Sequence, residues 1–253
     1  MPPTADLTAA AIKGPGDLLT VNSSGQLLNR ASLGNRQFGV QQVIGTGFGS
    51  AKELFVTDWE RDGVYDVLVQ WTDGRITLHS GTVSGGFLAA VTLGQSGWAG
   101  MTLAVGGWCA NNRLPQLLAL DASGNLWLYP NRGTVDLTER TLAATGVSAD
   151  RLAMADYDGD GFQDLLARQA DGNVRLYRGS GAPAPRAESR AVVASGWADV
   201  MAIRPLRDVT GLNTSGLALR RAGDVVQYWD LSSGALSSPS SVPGPWTGQR
   251  LAQ

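Results

Sequence analysis

Cysteine and histidine are almost missing from this chain: Cys109 and His79 are the only residues of either type among 253. A single cysteine excludes an intrachain disulfide, which permits a reducing compartment without requiring one. A zinc site of the usual His/Cys kind has only these two ligands to draw on, too few for a tetrahedral shell. A Ser-His-Asp triad would have to use His79, and no Gly-x-Ser-x-Gly elbow accompanies it. Lysine is scarce as well, with 2 against 18 arginines, and the net charge is −2. No bulk basic field therefore invites nucleic acid. No apolar run approaches the roughly 18 residues that span a bilayer, which argues against membrane insertion. There is no Gly-x-x-x-x-Gly-Lys-Ser/Thr phosphate loop and no long amphipathic helix pattern. The opening residues Met1-Pro2-Pro3-Thr4 carry no basic stretch and lead into no long apolar one, so no secretory leader is expected. Paired carboxylates of the glycosidase kind stay open.

What the chain does have is repetition. A glycine before a Trp-like residue recurs as Gly47-Phe48, Gly97-Trp98, Gly146-Val147, Gly196-Trp197 and, degenerately, Pro245-Trp246. The second members are 50, 49, 50 and 49 residues apart. A turn glycine before an alternating apolar run falls in the same phase, at Gly25, Gly74, Gly124, Gly172 and Gly223. Strand-like repeats of roughly 40 to 50 residues are the signature of a β-propeller with one sheet per repeat. The predicted fold is all-β: one domain over 1–253, a five-bladed propeller of four-stranded antiparallel blades. The repeats fall at about 6–53, 54–102, 103–151, 152–200 and 201–253.

The fourth repeat is the clearest. Arg151–Ala155 reads as a first strand, Leu165–Gln169 as a second, Val174–Arg178 as an alternating third and Ala191–Ala194 as a fourth. Asp171-Gly172 supplies the hairpin turn between the second and third. The tail Thr247–Gln253 resembles Ser148–Met154 and so reads as a further first strand. It would let a ring close on the N-terminal blade and remove an exposed sheet edge. Which terminus supplies which strand stays open.

Between the first two strands of the fourth repeat lies Asp156-x-Asp158-x-Asp160-Gly161-Phe162-x-Asp164. Carboxylates at positions 1, 3, 5 and 9 of a tight loop converge on one hard cation. Gly161 permits the sharp turn, and the Phe162 carbonyl adds a ligand at position 7. An EF-hand is excluded because position 12 is Ala167 and the flanks read as strands. The oxygen-only donor set points to Ca²⁺. The second repeat carries a variant, Asp58-x-Glu60-x-Asp62-Gly63-Val64-x-Asp66, with a longer carboxylate at position 3. The third and fifth loops lack the set.

Together these residues resemble an FG-GAP repeat, also called a VCBS or integrin-α-like repeat. The phrase runs from Asp156 through Arg168 and continues from Asp171 to Gly179. The resemblance covers essentially the whole chain as repeats and implies a calcium-bearing propeller, with an extracellular or cell-surface setting favoured and the cytoplasm left open. Many members have seven blades, so five is a departure. Ile44-Gly45-Thr46-Gly47 is similar to a phrase of the five-bladed tachylectin-type lectins.

Aromatic residues supply the remaining candidates. Trp98, Trp197 and Trp246 share a register with Phe48 and read as blade packing. Trp59, Trp108 and Tyr157 share the second position of the first-to-second-strand loop. On a rim they would stack on sugar rings or grip a peptide; in the alternative they pack over the neighbouring blade's loop. His79 shares its strand register with Tyr129 and Tyr177 and is expected to be structural. The expectation is a non-catalytic, calcium-stabilised recognition module for a glycan or cell-surface ligand. Five quasi-equivalent surfaces would add avidity. A protein-binding or adhesion scaffold is the alternative, and an enzyme using the central channel comes third.

Overall fold

The structure, a computed structural model, describes residues 5–110, 114–232 and 234–252. Among them are only short strands and turns, arranged as five antiparallel sheets. From the axis outwards the second blade is Ala51–Thr57, Asp66–Trp71, Ile76–His79 and Val91–Gly94. The third is Thr102–Gly106, Gln116–Leu120, Leu126–Tyr129 and Thr141–Ala144; the fourth is Arg151–Ala155, Asp164–Arg168, Val174–Tyr177 and Val192–Ala194. The fifth is Val200–Arg207, Ser215–Arg221, Val225–Ser232 and Ala235–Leu236, and Ser240–Ser241 pairs onto its long third strand.

The first blade is built from both ends of the chain. Arg250–Leu251 is its innermost strand, followed outwards by Leu18–Val21, Leu27–Arg30 and Gln42–Gly45. Thr20 pairs with Leu251 and Val21 with Arg250, and Ala252 N–H donates to the Leu19 carbonyl at 2.9 Å. The C-terminal tail is thus the closing strand. The segment from Asp6 to Ile12 forms no strand, and its Ile12 is buried instead against the second blade.

The core is five apolar clusters, one at each boundary between blades. Val21, Leu54 and Val69 meet between the first and second blades, and Leu68, Trp98 and Leu117 between the second and third. Leu118, Leu152 and Leu165 fill the next boundary, then Leu166, Ile203 and Leu217, then Leu18, Leu206 and Leu251. Each second strand is covered on both faces, so Asp66–Trp71, Gln116–Leu120 and Asp164–Arg168 read as near-continuous buried runs. Burying each Leu or Val contributes about 1.5–3 kcal/mol.

The two repeat markers keep phase because they touch. The amides of Phe48, Trp98, Val147 and Trp197 donate to the carbonyls of Gly25, Gly74, Gly124 and Gly172 at 2.9–3.2 Å. Gly172 has φ +85°, and a Cβ there would lie 2.5 Å from the Ala198 nitrogen, so no other residue fits the turn. The aromatic then packs forward onto the next blade: Trp98 on Tyr129 with centroids 4.7 Å apart, and Trp197 on Trp229 at 5.9 Å. A polar residue late in the second strand adds a staple. Arg168 donates to the Ala198 and Val200 carbonyls, Arg220 to those of Trp246 and Gln249, and Gln70 to those of Trp98 and Met101.

Candidate functional site

The fourth-blade loop assembles its carboxylates from the backbone outwards. Asp156 Oδ1 accepts from Gly159 N–H at 2.9 Å and Oδ2 from Gly161 N–H at 3.1 Å, which folds the loop back on itself. Gly161 has φ +90°, as the sharp turn requires. Asp164 begins the buried second strand; it accepts from Tyr157 N–H and Gly179 N–H, each at 2.9 Å. Burial pushes its carboxyl up to about 6, with Asp158 and Asp160 adding to the rise. Asp156, Asp158 and Asp164 bring one oxygen each to within 4.8 Å of one another. These three fit a hard divalent cation. Asp160 lies apart from that group: its Oδ1 accepts from Phe162 N–H, and its other oxygen pairs with Arg186. Arg178 pairs with Asp158 at 3.1 Å. Two arginines of the blade's own outer connection therefore stand against the acidic loop and compete with a cation for Asp158 and Asp160.

The second-blade loop shares the skeleton but not the convergence. Asp58 accepts from Asp62 N–H and Gly63 N–H, each at 3.0 Å, and Asp62 accepts from Val64 N–H at 2.9 Å. Asp66 accepts from Trp59 N–H and Gly81 N–H, and burial pushes it up to about 7. Glu60 is exposed. Among the described residues this loop does not gather three carboxylate oxygens as the fourth does.

The loop aromatics are not a platform. Trp59 and Trp108 are 0% exposed and Tyr157 is 4% exposed. Each indole turns under the third-to-fourth-strand connection of the next blade. Trp59 Nε1–H donates to the Gly133 carbonyl and Trp108 Nε1–H to the Pro183 carbonyl, both at 2.9 Å. Gly234 N–H reaches the Tyr157 carbonyl at 3.0 Å in the corresponding place. The expectation of an exposed stacking rim is corrected: an indole is too large to leave in water when a neighbouring loop can cover it. The signal that could have shown this is Val209, buried at the same register of the fifth blade, where no aromatic face exists.

His79 is half-buried beside Phe48 and Trp71, with centroids 5.2 and 6.3 Å away, and burial pulls its pKa down. Its Nε2 shares a hydrogen bond with the Thr77 hydroxyl at 3.1 Å.

A groove that the sequence did not single out lies between the second and third blades. It has a volume of about 460 Å³ and a base of Leu93, Trp98, Tyr129 and Leu137. Gln95, Ser96, Asp136, Thr138 and Arg140 line it with polar groups. Arg140 lies 4.0 Å over the Trp127 ring and donates to the Tyr129 hydroxyl at 3.3 Å, so its guanidinium is held in place.

Residues 111–167 match the family model of the FG-GAP-like repeat. That span runs from the loop before the third blade's second strand into the fourth blade's second strand, and includes the whole Asp156–Asp164 loop. No curated protein matches the chain. Among solved structures, the chain is similar to one from a nidogen/laminin complex, at 11% identity and TM-score 0.52, covering 94% of this chain and 97% of that one. It is also similar to the BP39L lectin from Burkholderia pseudomallei, at 15% identity and TM-score 0.49, covering 92% and 69%. The chain is a five-bladed propeller carrying an FG-GAP-like repeat.

Proposed function

We propose that this chain is a non-catalytic recognition module that takes a carbohydrate in the groove between its second and third blades, on a ring stabilised by Ca²⁺. The observation that carries the reading is the groove itself. It combines an apolar base with a fixed guanidinium and the Asp136 carboxylate, the mixture that a sugar's ring face and hydroxyls require. Asp156, Asp158 and Asp164 would hold the ion, which would cancel their mutual repulsion and pin the loop. Glycan arrays and calorimetry on the wild-type chain, with and without chelator, test this together with Asp136→Ala and Arg140→Ala. Sugar binding that both variants weaken supports the reading. Absence of any sugar binding, or binding that neither variant changes, sinks it.

A protein-binding scaffold is the second reading. Leu33 and Val40, 64% and 85% exposed, lie within the outer connection of the first blade and present apolar surface. A pull-down that recovers a partner, with capture lost in a Leu33→Ser/Val40→Ser double variant, would favour it.

A further inference from the structure

Among the described residues three arginines are at least nine-tenths buried, and two of them form an ion pair. Arg168 pairs with Asp150 at 3.0 Å and Arg220 pairs with Asp224, while both also donate to carbonyls of the next blade. Arg204 is the most buried of the three, at 2% exposure, and it sits on the innermost strand of the fifth blade. Its Nε and Nη2 donate to a single carbonyl, that of Asp17, at 3.3 and 3.0 Å. Among the described residues no carboxylate forms an ion pair with it. The Asp17 carboxylate is close enough to favour the charge but is committed elsewhere: it accepts from Lys13 N–H, Ser32 N–H and the Asn29 amide. Burial lowers the guanidinium to about 10, so it stays charged at neutral pH. Asp17 is therefore its nearby counter-charge, reached through the carbonyl and not by an ion pair, and a buried guanidinium so held still gains from a further acceptor.

Arg204 lines a cavity of about 650 Å³ at the mouth of the central channel, on the side of the metal loops. Arg61 and Arg207 line the same mouth, and both are exposed. Two carboxylates, Asp58 and Asp156, line it as well, each accepting from amides of its own loop, so the mouth carries both signs of charge with the arginines in excess. Further along the channel lies a smaller pocket lined by Phe55, Val105, Met154, Pro205 and other apolar residues, a poor setting for a charged group.

We infer that this mouth binds an oxyanion, a carboxylate or phosphate group on a small ligand of about one sugar ring, with Arg204 as its buried counter-charge and Arg207 closing over it. Planar guanidinium donors match the two oxygens of either group. The site is separate from the groove. Its ligand is charged and its residues lie on the inner strands, so failure with neutral sugars at the groove and failure with anions in the channel are distinct results.

The test uses the full chain with three probes: glucuronate, glucose and inorganic phosphate. Calorimetry and thermal melting are expected to show binding and a raised Tm with glucuronate or phosphate, whichever source the site serves, and neither response at this site with glucose. Arg204→Met keeps most of the side-chain volume and is expected to weaken that binding by about thirtyfold or more, the loss that follows truncation of one partner of a buried charge pair. Should Arg204→Met fail to fold, Arg207→Ala at the exposed edge is expected to weaken binding severalfold while leaving the melting of the unliganded chain unchanged. The inference is overturned if neither anion binds, if glucose binds as glucuronate does, or if every folded variant binds as the wild type.

Discussion

Truncating Trp59 to alanine separates a packing residue from a ligand platform, because the two roles differ by several kcal/mol in stability. The indole is 0% exposed and its N–H holds the Gly133 carbonyl of the next blade at 2.9 Å. A fully buried tryptophan takes some 150–250 Å² out of water, which at about 25 cal/mol per Å² is about 4–6 kcal/mol. Measured truncations of large aromatics fall at about 3–5 kcal/mol, and stranding a buried carbonyl adds about 1–3. A loss of about 4–6 kcal/mol is a large share of the 5–15 kcal/mol or so that holds a typical domain. In urea, with a slope of about 3 kcal/mol per M, the midpoint should fall by about 1.5 M. Trp59→Phe isolates the hydrogen bond, since it keeps most of the ring and removes the donor; its cost should be about 1–3 kcal/mol. Trp108→Ala should behave like Trp59→Ala, having the same burial and the same kind of bond to Pro183. A Trp59→Ala midpoint within about 0.3 M of wild type would refute the packing argument. So would a phenylalanine variant as damaged as the alanine one.

Calcium should raise the Tm, and Asp158→Ala should remove most of that rise, because an ion that binds only the folded loop stabilises it by mass action. Elemental analysis should find about one ion per chain, from the fourth-blade loop alone; two would mean that the second-blade loop rearranges to bind. Burial lifts the Asp66 and Asp164 carboxyls above their ordinary 3.8, to about 7 and about 6. In chelator the folded chain therefore binds more protons than the unfolded one between about pH 4 and 7, and stability should fall as pH rises through that window. A urea midpoint that rises over the same range contradicts the burial argument. Deleting residues 249–253 strips the innermost strand from the first blade and exposes a sheet edge. A lowered Tm and association on size exclusion are expected, and a monomer that melts unchanged would deny the closing role of the tail.

The five-blade ring was legible because its two sequence markers are physically joined. Four of the five turn glycines, Gly25, Gly74, Gly124 and Gly172, accept the amide of the following marker residue, so neither can drift in spacing without breaking that bond. The metal loop was legible because its hydrogen bonds are local: Asp156 reaches Gly159 and Gly161 within five residues. The fate of Trp59 and Trp108 was not, because their partners lie 74 and 75 residues along the chain. A side chain on a loop reads as exposed until the neighbouring loop is known. The arginines facing the acidic loop were hidden for a related reason. Arg178 and Arg186 follow the third strand, and only the pairing of Leu165 with Tyr177 brings that connection beside Asp158 and Asp160.

The structure also changes what repetition means for binding. Each cleft is a boundary shared by two repeats, so its chemistry depends on a pair of residues that vary independently. The marker and its forward partner are Phe48 with Trp71 and His79 at the first boundary, Trp98 with Tyr129 at the second, Val147 with Tyr177 at the third, and Trp197 with Trp229 at the fourth. At the closing boundary Trp246 meets Arg30, whose guanidinium lies 5.4 Å from the ring. Among the described residues only the second boundary sets a Trp–Tyr pair beside a guanidinium anchored on the tyrosine hydroxyl. The central channel is likewise unequal around its axis, since among the described residues only the fifth blade offers a buried arginine at its mouth. Avidity through five equal sites therefore does not follow from five blades. The boundaries of the ring differ from one another in chemistry, with a polar groove over an apolar base at one of them and three arginines beside two aspartates at the axis.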